Sequence, residues 1–453
     1  MRSTSRKQDI IGSFGNYALM YIFLFICLTT SGGWGVNEDL SRGEIFRFDK
    51  MLLFGQVNIY YLFSVVHIIV LAFEMVSNKY KNNVSDRNYL KYIWIAYFIP
   101  GNLLVYLAVY LKDIELIDLG LQPVAVFFVY LVATYYVQDI FIRNKDREKL
   151  SNILTTLEIL IIVRCCYSIG KYFVGFGDSN PVRGGVRLGT EDDFADFFIL
   201  LFIIALSSLL FNKNAGVKTK MVHVLGIITS SYVAIYSFRR YFWGELIVAI
   251  GIILLSYYRF GNVNVYKKVM LVFGSVVVIF SSMSFVGADR ITNNYYVGRL
   301  LTSISLLDYR YESEYGIDTG HRAEIQDGWY NVKKNWLLGI TPFGADRMER
   351  FETAEWQSGL FIHNGYLQVW VVYGLLGFIL YVLLYLKSVQ LGYIMFIRYK
   401  SNMGLILLTF MACQMIKNIV WPTAITNMNV TIIYIFLISL VLKARRLETA
   451  KNG

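Results

Sequence analysis

The residues best suited to chemistry in this sequence are a histidine and a pair of arginines that flank apolar segments. His363 and Asn364 come directly before an apolar segment, while Arg239 and Arg240 lie between two others. An imidazole titrates near neutral pH and can accept a proton from a hydroxyl group. A guanidinium group holds phosphate through two parallel hydrogen bonds. The combination predicts a site that binds an anion and activates a hydroxyl.

Each of these residues also has a structural interpretation. A lone histidine is structural more often than catalytic, and arginines at a membrane boundary often serve as anchors. Glu245, one turn deeper in its segment than Arg240, is an alternative partner for the arginine pair. We favour the functional interpretation of His363 because it lies where the one large loop of the chain meets an apolar segment. We favour it for the arginines because, on the outer side of a membrane, they oppose the usual charge bias.

The elements that must position these residues are membrane helices. The chain has 453 residues, of which 56% are hydrophobic and 17% are charged, whereas soluble domains carry roughly 25% charged residues. Its apolar blocks have the length of a helix that crosses a ~30 Å hydrocarbon core, and they predict an all-α, polytopic membrane protein with about twelve spans. We place the spans at 14–31, 53–76, 91–111, 119–141, 153–174, 194–211, 221–238, 241–258, 267–286, 365–386, 402–420 and 426–442.

The distribution of Lys and Arg predicts the orientation of these spans. Basic residues concentrate in alternate loops, and the positive-inside rule places such loops in the cytoplasm. Both termini are therefore predicted to be cytoplasmic. The segment 287–364, between the ninth and tenth predicted spans, then forms a long extracytoplasmic loop of a single membrane domain that covers residues 1–453. Within this loop, apolar residues of the stretch His321–Trp336 recur at helical spacing and indicate a helix on the membrane surface.

Several functional classes are disfavoured by the sequence. The net charge of +11 would suit a nucleic-acid partner, but the basic residues lie in the short loops that orient the spans, so we expect no nucleic acid. No His/Cys cluster has the spacing of a metal site and no Gly-rich phosphate loop is present, so we expect no metal and no cofactor. Because no cytoplasmic segment is large enough to bind a nucleotide sugar, we expect a donor that is reached from the membrane and the outer side.

Taken in chain order, these residues resemble the O-antigen ligase/polymerase superfamily. The matching elements lie roughly between residues 180 and 385. They are Arg187-Leu188-Gly189, Arg240 with Trp243, Arg322 with Asn335-Trp336-Leu337-Leu338-Gly339, and His363-Asn364 with Gly374 and Gly377. The sequence departs from the family pattern at three places. Arg239 stands where a serine is usual, Trp336 where a proline is typical, and Glu191-Asp192-Asp193 where an asparagine is expected after Arg187-Leu188-Gly189.

The resemblance implies a fold, a location and an activity. The fold would be a multi-pass membrane protein of the bacterial inner membrane, related to class C glycosyltransferases (GT-C-like), with its active site on the periplasmic side. The activity would be a metal-independent, inverting transfer of a glycan from undecaprenyl diphosphate. For this activity we predict the catalytic residues His363, Arg240 and Arg322 and the substrate-binding residues Arg239, Arg187, Asn364 and Glu245.

The sequence leaves the acceptor open. A polymerase adds the glycan to the non-reducing end of another lipid-linked repeat unit, whereas a ligase adds it to lipid A–core. We favour the polymerase, because the tyrosine-rich long loop suggests recognition of a particular repeat unit. A polysaccharide transporter or flippase is a further alternative, for which Arg164 within the fifth span would be the charged residue, and so is a non-catalytic scaffold. Besides membrane lipid, a chain-length regulator and a flippase are candidate partners.

Overall fold

A computed structural model of the protein describes the part of the chain that includes most of these elements. The described residues are 52–53, 57–58, 147–173, 178–180, 185–187, 195–212, 215–237, 240–261, 319–337, 339, 362, 364–420 and parts of 434–445. They are predominantly helical, as the sequence predicts, and two short strand pairs accompany the helices.

The helices follow the predicted apolar segments closely. They are α1 (Arg147–Phe173), α2 (Ala195–Phe211), α3 (Val217–Tyr236), α4 (Arg240–Phe260), α5 (Thr319–Lys334), α6 (Gly365–Tyr399) and α7 (Asn402–Val420). The antiparallel strand pairs are β1 (Leu52–Leu53) with β2 (Val57–Asn58), and β3 (Asp178–Asn180) with β4 (Gly185–Arg187). The second predicted span, 53–76, therefore does not begin as a helix. The polar residues Gln56 and Asn58 interrupt the apolar run there.

Three helices of the described part are long and apolar enough to cross a membrane. They are Tyr241–Phe260 in α4, Tyr373–Tyr399 in α6, and α7 itself, while Asp196–Phe211 in α2 is a shorter apolar helix. These lengths agree with the ~20 residues that a membrane span needs. The protein is therefore a helical membrane protein. The total of twelve spans stays a prediction, because several of the predicted spans lie outside the described residues.

The tenth predicted span differs from its helix at one end. We placed its end at residue 386 and counted Lys387 and Arg398 in a cytoplasmic loop, but α6 continues to Tyr399. Lys387 and Arg398 lie on the helix, and the Lys387 ammonium donates to the side-chain oxygen of Gln390, 3.0 Å away. Long basic side chains favour helix and can extend along it toward water, so a basic residue does not by itself end a span.

The second helix is enclosed by the others. The residues from Phe197 to Ala205 in α2 are all buried, and α2 packs against α1, α3, α4 and α7. A helix that is apolar on every side belongs in the centre of a bundle rather than at its surface. The Phe198 and Phe242 rings meet edge to face with centroids 4.5 Å apart, which fixes α2 against α4.

Side-chain contacts define two ends of this helix bundle. At the Arg240 end lie the starts of α2, α4 and α6 and the ends of α3 and α7. Here the Asn364 amide donates to the Ile419 carbonyl oxygen at 3.0 Å. At the opposite end lie the starts of α3 and α7 and the ends of α2, α4 and α6, and the Asn402 amide donates to the Ser208 hydroxyl oxygen at 3.2 Å. The consecutive helices α2, α3 and α4 thus alternate in direction, as do α6 and α7, which is the arrangement of consecutive membrane spans.

The opposite end is held by close apolar packing. A Cβ atom on Gly404 would lie 2.6 Å from the Phe396 backbone nitrogen, and one on Gly392 would lie 2.6 Å from the Leu408 nitrogen. Small residues at such contacts let helix backbones approach closely, which favours association of helices in a membrane. Lys400 ends α6 in the left-handed conformation, with φ of 51°, and allows α7 to begin two residues later.

Candidate functional site

Three of the described site residues lie at or just before helix starts: Arg240, Arg322 and Asn364. Arg240 is the first residue of α4, and Arg322 lies in the first turn of α5. Arg187 is the last residue of β4 and pairs with Asp178 of β3. His363 and Arg239 lie outside the described residues, and their roles stay predictions.

Asn364 joins two helix ends at the Arg240 end. Its side-chain oxygen accepts from the backbone N–H of Leu367 at 2.9 Å and so caps the start of α6. Its amide nitrogen donates to the Ile419 carbonyl oxygen near the end of α7. Asparagine is a preferred residue at this capping position, since it satisfies an N–H that the helix leaves free. The structure thus gives Asn364 a positioning role; the substrate contact predicted for it stays a prediction.

The loop helix α5 packs along the first turns of α6. Val332 is buried in a small apolar cluster with Ile362, Leu367 and Val371. A Cβ atom on Gly328 would lie 2.6 Å from a Leu367 methyl carbon, so the two helices touch there. The predicted surface helix is therefore real, but one side of it is buried against α6 rather than lying only on a membrane.

The direction of α5 brings its first turn toward the start of α6. Gly328 lies against Leu367, and farther along both helices the Trp336 carbonyl oxygen accepts from the Leu375 N–H at 2.9 Å. The helices therefore run in the same direction. Arg322 precedes Gly328 by six residues, which is roughly 9 Å along a helix axis. Arg322 therefore lies toward the start of α6. In the sequence, His363 and Asn364 directly precede this start.

The residues that follow α5 contact α6 at a kink. Gly374 has φ of 67° and ψ of −169°, a backbone conformation that interrupts the helix and that glycine alone adopts readily. The interruption frees the N–H of Leu375, which donates to the carbonyl oxygens of Trp336 and Leu337 at 2.9 and 3.2 Å. The Trp370 indole N–H also donates to the Trp336 carbonyl oxygen, at 2.9 Å. Two of the family-like sequence elements, the one around Trp336 and the one around Gly374, are therefore in direct contact.

Four polar side chains form a buried cluster beneath the Arg240 end, which we call the lysine–carboxylate network. They are Asp196 of α2, Glu245 of α4, and Gln414 and Lys417 of α7, and each is at most 4% exposed. The Lys417 ammonium lies 2.7 Å from an Asp196 carboxylate oxygen. The Gln414 amide donates to Asp196 at 2.6 Å and to Glu245 at 3.3 Å. One amide therefore links two carboxylates that belong to different helices.

Glu245 has a different described environment from the one its sequence position suggested. We considered it a partner for the arginine pair or a substrate ligand, but its described partner is Gln414. Its backbone carbonyl oxygen also accepts from the Cys413 thiol at 3.3 Å. Glu245 thereby connects α4, which begins at Arg240, to α7. Contact with an arginine or with substrate stays a prediction, since Arg239 and the Arg240 side chain lie outside the described part.

A line of hydroxyl and amide groups continues the polar region between α6 and α7. The Tyr381 hydroxyl donates to the side-chain oxygen of Asn418 at 2.6 Å, and the Asn418 amide donates to the Tyr385 hydroxyl at 3.1 Å. The hydroxyls of Tyr385 and Tyr434 lie 3.1 Å apart. Near the Arg240 end, the Tyr366 hydroxyl donates to the Met415 carbonyl oxygen at 2.8 Å. Polar groups buried in a membrane protein are stable only when paired in this way.

Our interpretation of the sequence missed this network. Lys417 and Asp196 lie within segments that we predicted as spans, and a charged residue inside a span is a known signal of a functional or paired site. We applied that rule only to Arg164. The structure places the Arg164 guanidinium carbon 5.2 Å from the centre of the Tyr167 ring, which is a cation–π contact. Gln414 and Asn418 carried no signal, because single amides are common in membrane helices.

A second buried ion pair lies away from these residues. Nδ1 of His223 in α3 is 2.9 Å from both carboxylate oxygens of Glu158 in α1. Both side chains are buried, and the pair ties two neighbouring helices together. Within the described residues, no group of three or more His, Cys, Asp or Glu side chains is arranged to hold a metal ion.

Comparison with known proteins agrees with the resemblance drawn from the sequence. Residues 225–382 match a family model described as O-antigen ligase. The matched segment runs from the middle of α3 through α4 and α5 to Val382 in α6, and it contains Arg240, Arg322 and Asn364. The resemblance to the O-antigen ligase/polymerase superfamily is thereby confirmed for this segment. A search of curated proteins finds no match.

Proposed function

Because an O-antigen ligase family segment spans the helices that carry the predicted site, we propose that this protein is a glycan polymerase of the O-antigen type. It transfers a glycan from undecaprenyl diphosphate to the non-reducing end of another lipid-linked repeat unit. The observation that carries the proposal is that the family match, residues 225–382, covers α4, α5 and α6, at or just before whose starts Arg240, Arg322 and Asn364 lie.

The proposed reaction exchanges one bond at the anomeric carbon of the donor sugar. An acceptor hydroxyl oxygen forms a bond to this carbon, on the face opposite the leaving group, while the bond from the carbon to the diphosphate oxygen breaks. His363 takes the hydroxyl proton, and the lipid diphosphate leaves as an anion. Such a leaving group is already good, so the barrier falls mainly through positioning and charge neutralisation. General-base help contributes roughly 10²–10⁴-fold.

The proposed diphosphate site uses Arg240 and Arg322, with Arg239 as a weaker third contact and Arg187 as a further substrate ligand. The position of Arg240 supports this role, because it is the first residue of the 21-residue helix α4. The start of a helix presents free N–H groups and a partial positive charge, which favour a bound phosphate. Arg322 also lies near the start of its helix. Two helix starts that both carry an arginine suit a doubly charged anion.

The alternatives differ in the acceptor or in the absence of chemistry. A ligase would use the same donor and transfer its glycan to lipid A–core. A transporter or flippase would place charges along a path through the bundle, and a scaffold would tolerate replacement of His363. The contacts between Trp336 and the Gly374 kink favour a transferase, since they hold the loop against the start of α6. We further propose that the site faces the periplasm across the inner membrane, with a chain-length regulator and a flippase as partners.

The polysaccharide pattern of a deletion strain tests the proposal. Loss of the polymerase leaves a single repeat unit on lipid A–core, because ligation of that unit continues. Loss of a ligase leaves no attached chain, and lipid-linked polymer accumulates instead. An unchanged banding pattern, together with absence of transfer by the purified protein on lipid-linked repeat units, would contradict the transferase function altogether.

A further inference from the structure

We propose that the lysine–carboxylate network of Asp196, Glu245, Gln414 and Lys417 is the positioning device of the transfer site, an inference that rests on the proposed function. The network holds the start of α4, with Arg240, at a fixed place relative to the start of α6, with Asn364. The four residues act through the helices on which they lie, and in this proposal the positioning role of Glu245 replaces the substrate contact that its sequence position suggested.

The contacts form a continuous path between the two helix starts. Glu245 lies in the second turn of α4 and binds the Gln414 amide of α7 at 3.3 Å. Three residues farther along α7, Lys417 binds Asp196 of α2 at 2.7 Å. Near the end of α7, the Ile419 carbonyl oxygen accepts from Asn364. A shift of α7 would therefore disturb the spacing between Arg240 and Asn364.

Stability alone does not explain four polar side chains at this depth. Removing two charges from water costs free energy that their attraction only partly returns, and well-packed apolar residues of similar volume are often as stabilising. Hydrogen bonds differ from apolar contacts in being directional, so the bonds that join Asp196, Glu245, Gln414 and Lys417 favour one arrangement of helices over others. Within the described residues, Glu245 Oε2 and Gln414 Oε1 have no hydrogen-bond partner. The described partners come from three different helices, α2, α4 and α7. All of their hydrogen bonds form together only when the three helices adopt one arrangement.

The four side chains are too deeply buried to act on the substrate directly. Glu245 and Gln414 are fully buried, and Asp196 and Lys417 are at most 4% exposed. A glycan or a lipid diphosphate cannot reach side chains that are enclosed by helices. Glycan transfer nevertheless depends on these side chains, because they position the helices that carry the reacting groups. Misplacing reacting groups by about 1 Å can lower a rate by about 10²-fold.

The first test replaces the ion pair with apolar residues. The double variant Asp196→Leu/Lys417→Met removes both members of the ion pair and keeps the volume filled, while Glu245 keeps its hydrogen bond from Gln414, so the protein is expected to fold. With the lipid-linked glycan that accumulates in the deletion strain as substrate, we expect kcat to fall by about tenfold to hundredfold. The KM for the glycan should change much less, because the side chains that bind it are still present.

A matched control uses the same two helices at the opposite end. Asn402 of α7 and Ser208 of α2 share a hydrogen bond of 3.2 Å. The double variant Asn402→Leu/Ser208→Ala removes this contact between α7 and α2 without touching the network. It should transfer glycan at the rate of the unmodified protein.

The second test measures position directly. Spin labels on Ile247 of α4 and Leu376 of α6, both exposed, report the spacing near the Arg240 end, in a cysteine-free background whose transfer rate equals that of the original protein. Labels on Leu255 and Leu386, exposed residues farther along the same helices, report the opposite end. In Asp196→Leu/Lys417→Met, the distance distribution should shift or broaden for the first pair and stay unchanged for the second.

The outcomes separate this inference from the proposed function. Absence of transfer by the unmodified protein would refute the function itself. An active protein whose folded double variant keeps its kcat, or loses kcat with both distance distributions unchanged, would refute the positioning role. If the double variant does not fold, Gln414→Met decides instead, because it keeps the ion pair and removes the link to Glu245. It should lower kcat several-fold and shift only the first distance.

Discussion

The two ends of the helix bundle differ in the contacts that join their helices. At the Arg240 end, helices meet through an ion pair, bridging amides and the hydrogen bond from Asn364 to Ile419. At the opposite end, they meet through one hydrogen bond between Asn402 and Ser208, through backbone contact at Gly404 and through edge-to-face rings such as Phe211 and Phe396, 5.7 Å apart. Directional contacts define position, whereas apolar packing supplies stability without directional preference. The end that carries the predicted site is therefore the end where directional contacts between helices are concentrated.

The two ends of the bundle are predicted to face opposite sides of the membrane. A cysteine introduced at Asp318, just before α5, should react completely with an impermeant thiol reagent added outside. A cysteine at Lys218, exposed near the start of α3, should react only after the membrane is opened. Labelling is read on intact cells and on permeabilised cells. The reverse pattern would place Arg240 and His363 in the cytoplasm and remove the basis of the proposed function.

Loss of the proposed base should have the largest effect on transfer. His363→Ala is expected to reduce turnover by about 10²–10⁴-fold, because it removes the group that accepts the hydroxyl proton. The rate is measured on purified protein with lipid-linked glycan. His321→Ala is the control, since His321 lies in the first turn of α5 but not at the start of α6. Near-normal turnover of His363→Ala would leave the arginines as the groups that act on the substrate.

Replacement of the helix-start arginine should come next. Arg240→Ala should reduce transfer by about tenfold to hundredfold, since a charge-assisted contact to phosphate is lost. Arg240→Lys should fall in between, because it keeps the charge but not the paired hydrogen bonds. Arg259→Ala, near the other end of α4 and exposed, should leave transfer unchanged. Equal effects of Arg240→Ala and Arg259→Ala would return Arg240 to the role of a membrane anchor.

The opposite end should respond in stability rather than in activity. Gly404→Ala forces a methyl group to within 2.6 Å of the Phe396 nitrogen. We expect a loss of about 1–3 kcal/mol in the free energy of unfolding, as in other overpacked cores. Thermal unfolding in detergent measures the change, and kcat of the folded fraction should stay the same. Gly251→Ala, where no atom lies within 4 Å of the added carbon, is the neutral control. A specific loss of kcat in Gly404→Ala would break the contrast between the ends.

Substitution at the kink in α6 should have a smaller effect, which appears in both the transfer rate and the protease resistance of the loop. Gly374→Ala places a side chain in a backbone conformation that costs about 1–3 kcal/mol for residues other than glycine. Part of α6 is then expected to straighten and to withdraw Leu375 from the Trp336 carbonyl. We expect a several-fold loss of transfer and a higher proteolysis rate of the loop around α5. Gly170→Ala in α1, which has open space around it, should change neither quantity.

Much of the fold follows from the sequence because it is a local property. The apolar runs predicted at 194–211, 241–258 and 402–420 agree with α2, α4 and α7 to within two residues at each end. Membrane helices must satisfy their own backbone groups, so length and hydropathy nearly determine them. The kink at Gly374 was harder to predict from the sequence. A glycine within an apolar run does not reveal a positive φ, and the loop carbonyl that satisfies Leu375 comes from a distant segment.

The sequence singled out residues for the candidate site but not the contacts that connect them. Arg240 and Arg322, which the sequence singled out, lie at helix starts, and their roles stay predictions. The role of Asn364 as a cap could have been foreseen, since asparagine directly before a helix is a preferred capping residue. The pairing of Lys417 with Asp196 could not, because sequence spacing carries no information on which helices become neighbours. Only the packing of α7 against α2 reveals it.

The Lys417–Asp196 pair also has a consequence for how the protein is made. The two residues are separated by 221 positions, so Asp196 enters the membrane long before its partner is synthesised. At about 5–20 residues per second, the delay is on the order of ten to forty seconds. During this time α2 carries a carboxylate without its cation, and the helices that enclose it are incomplete. A ribosome that stops before α7 therefore releases a chain whose central helix exposes a polar group to lipid, which is a recognisable substrate for membrane quality-control proteases.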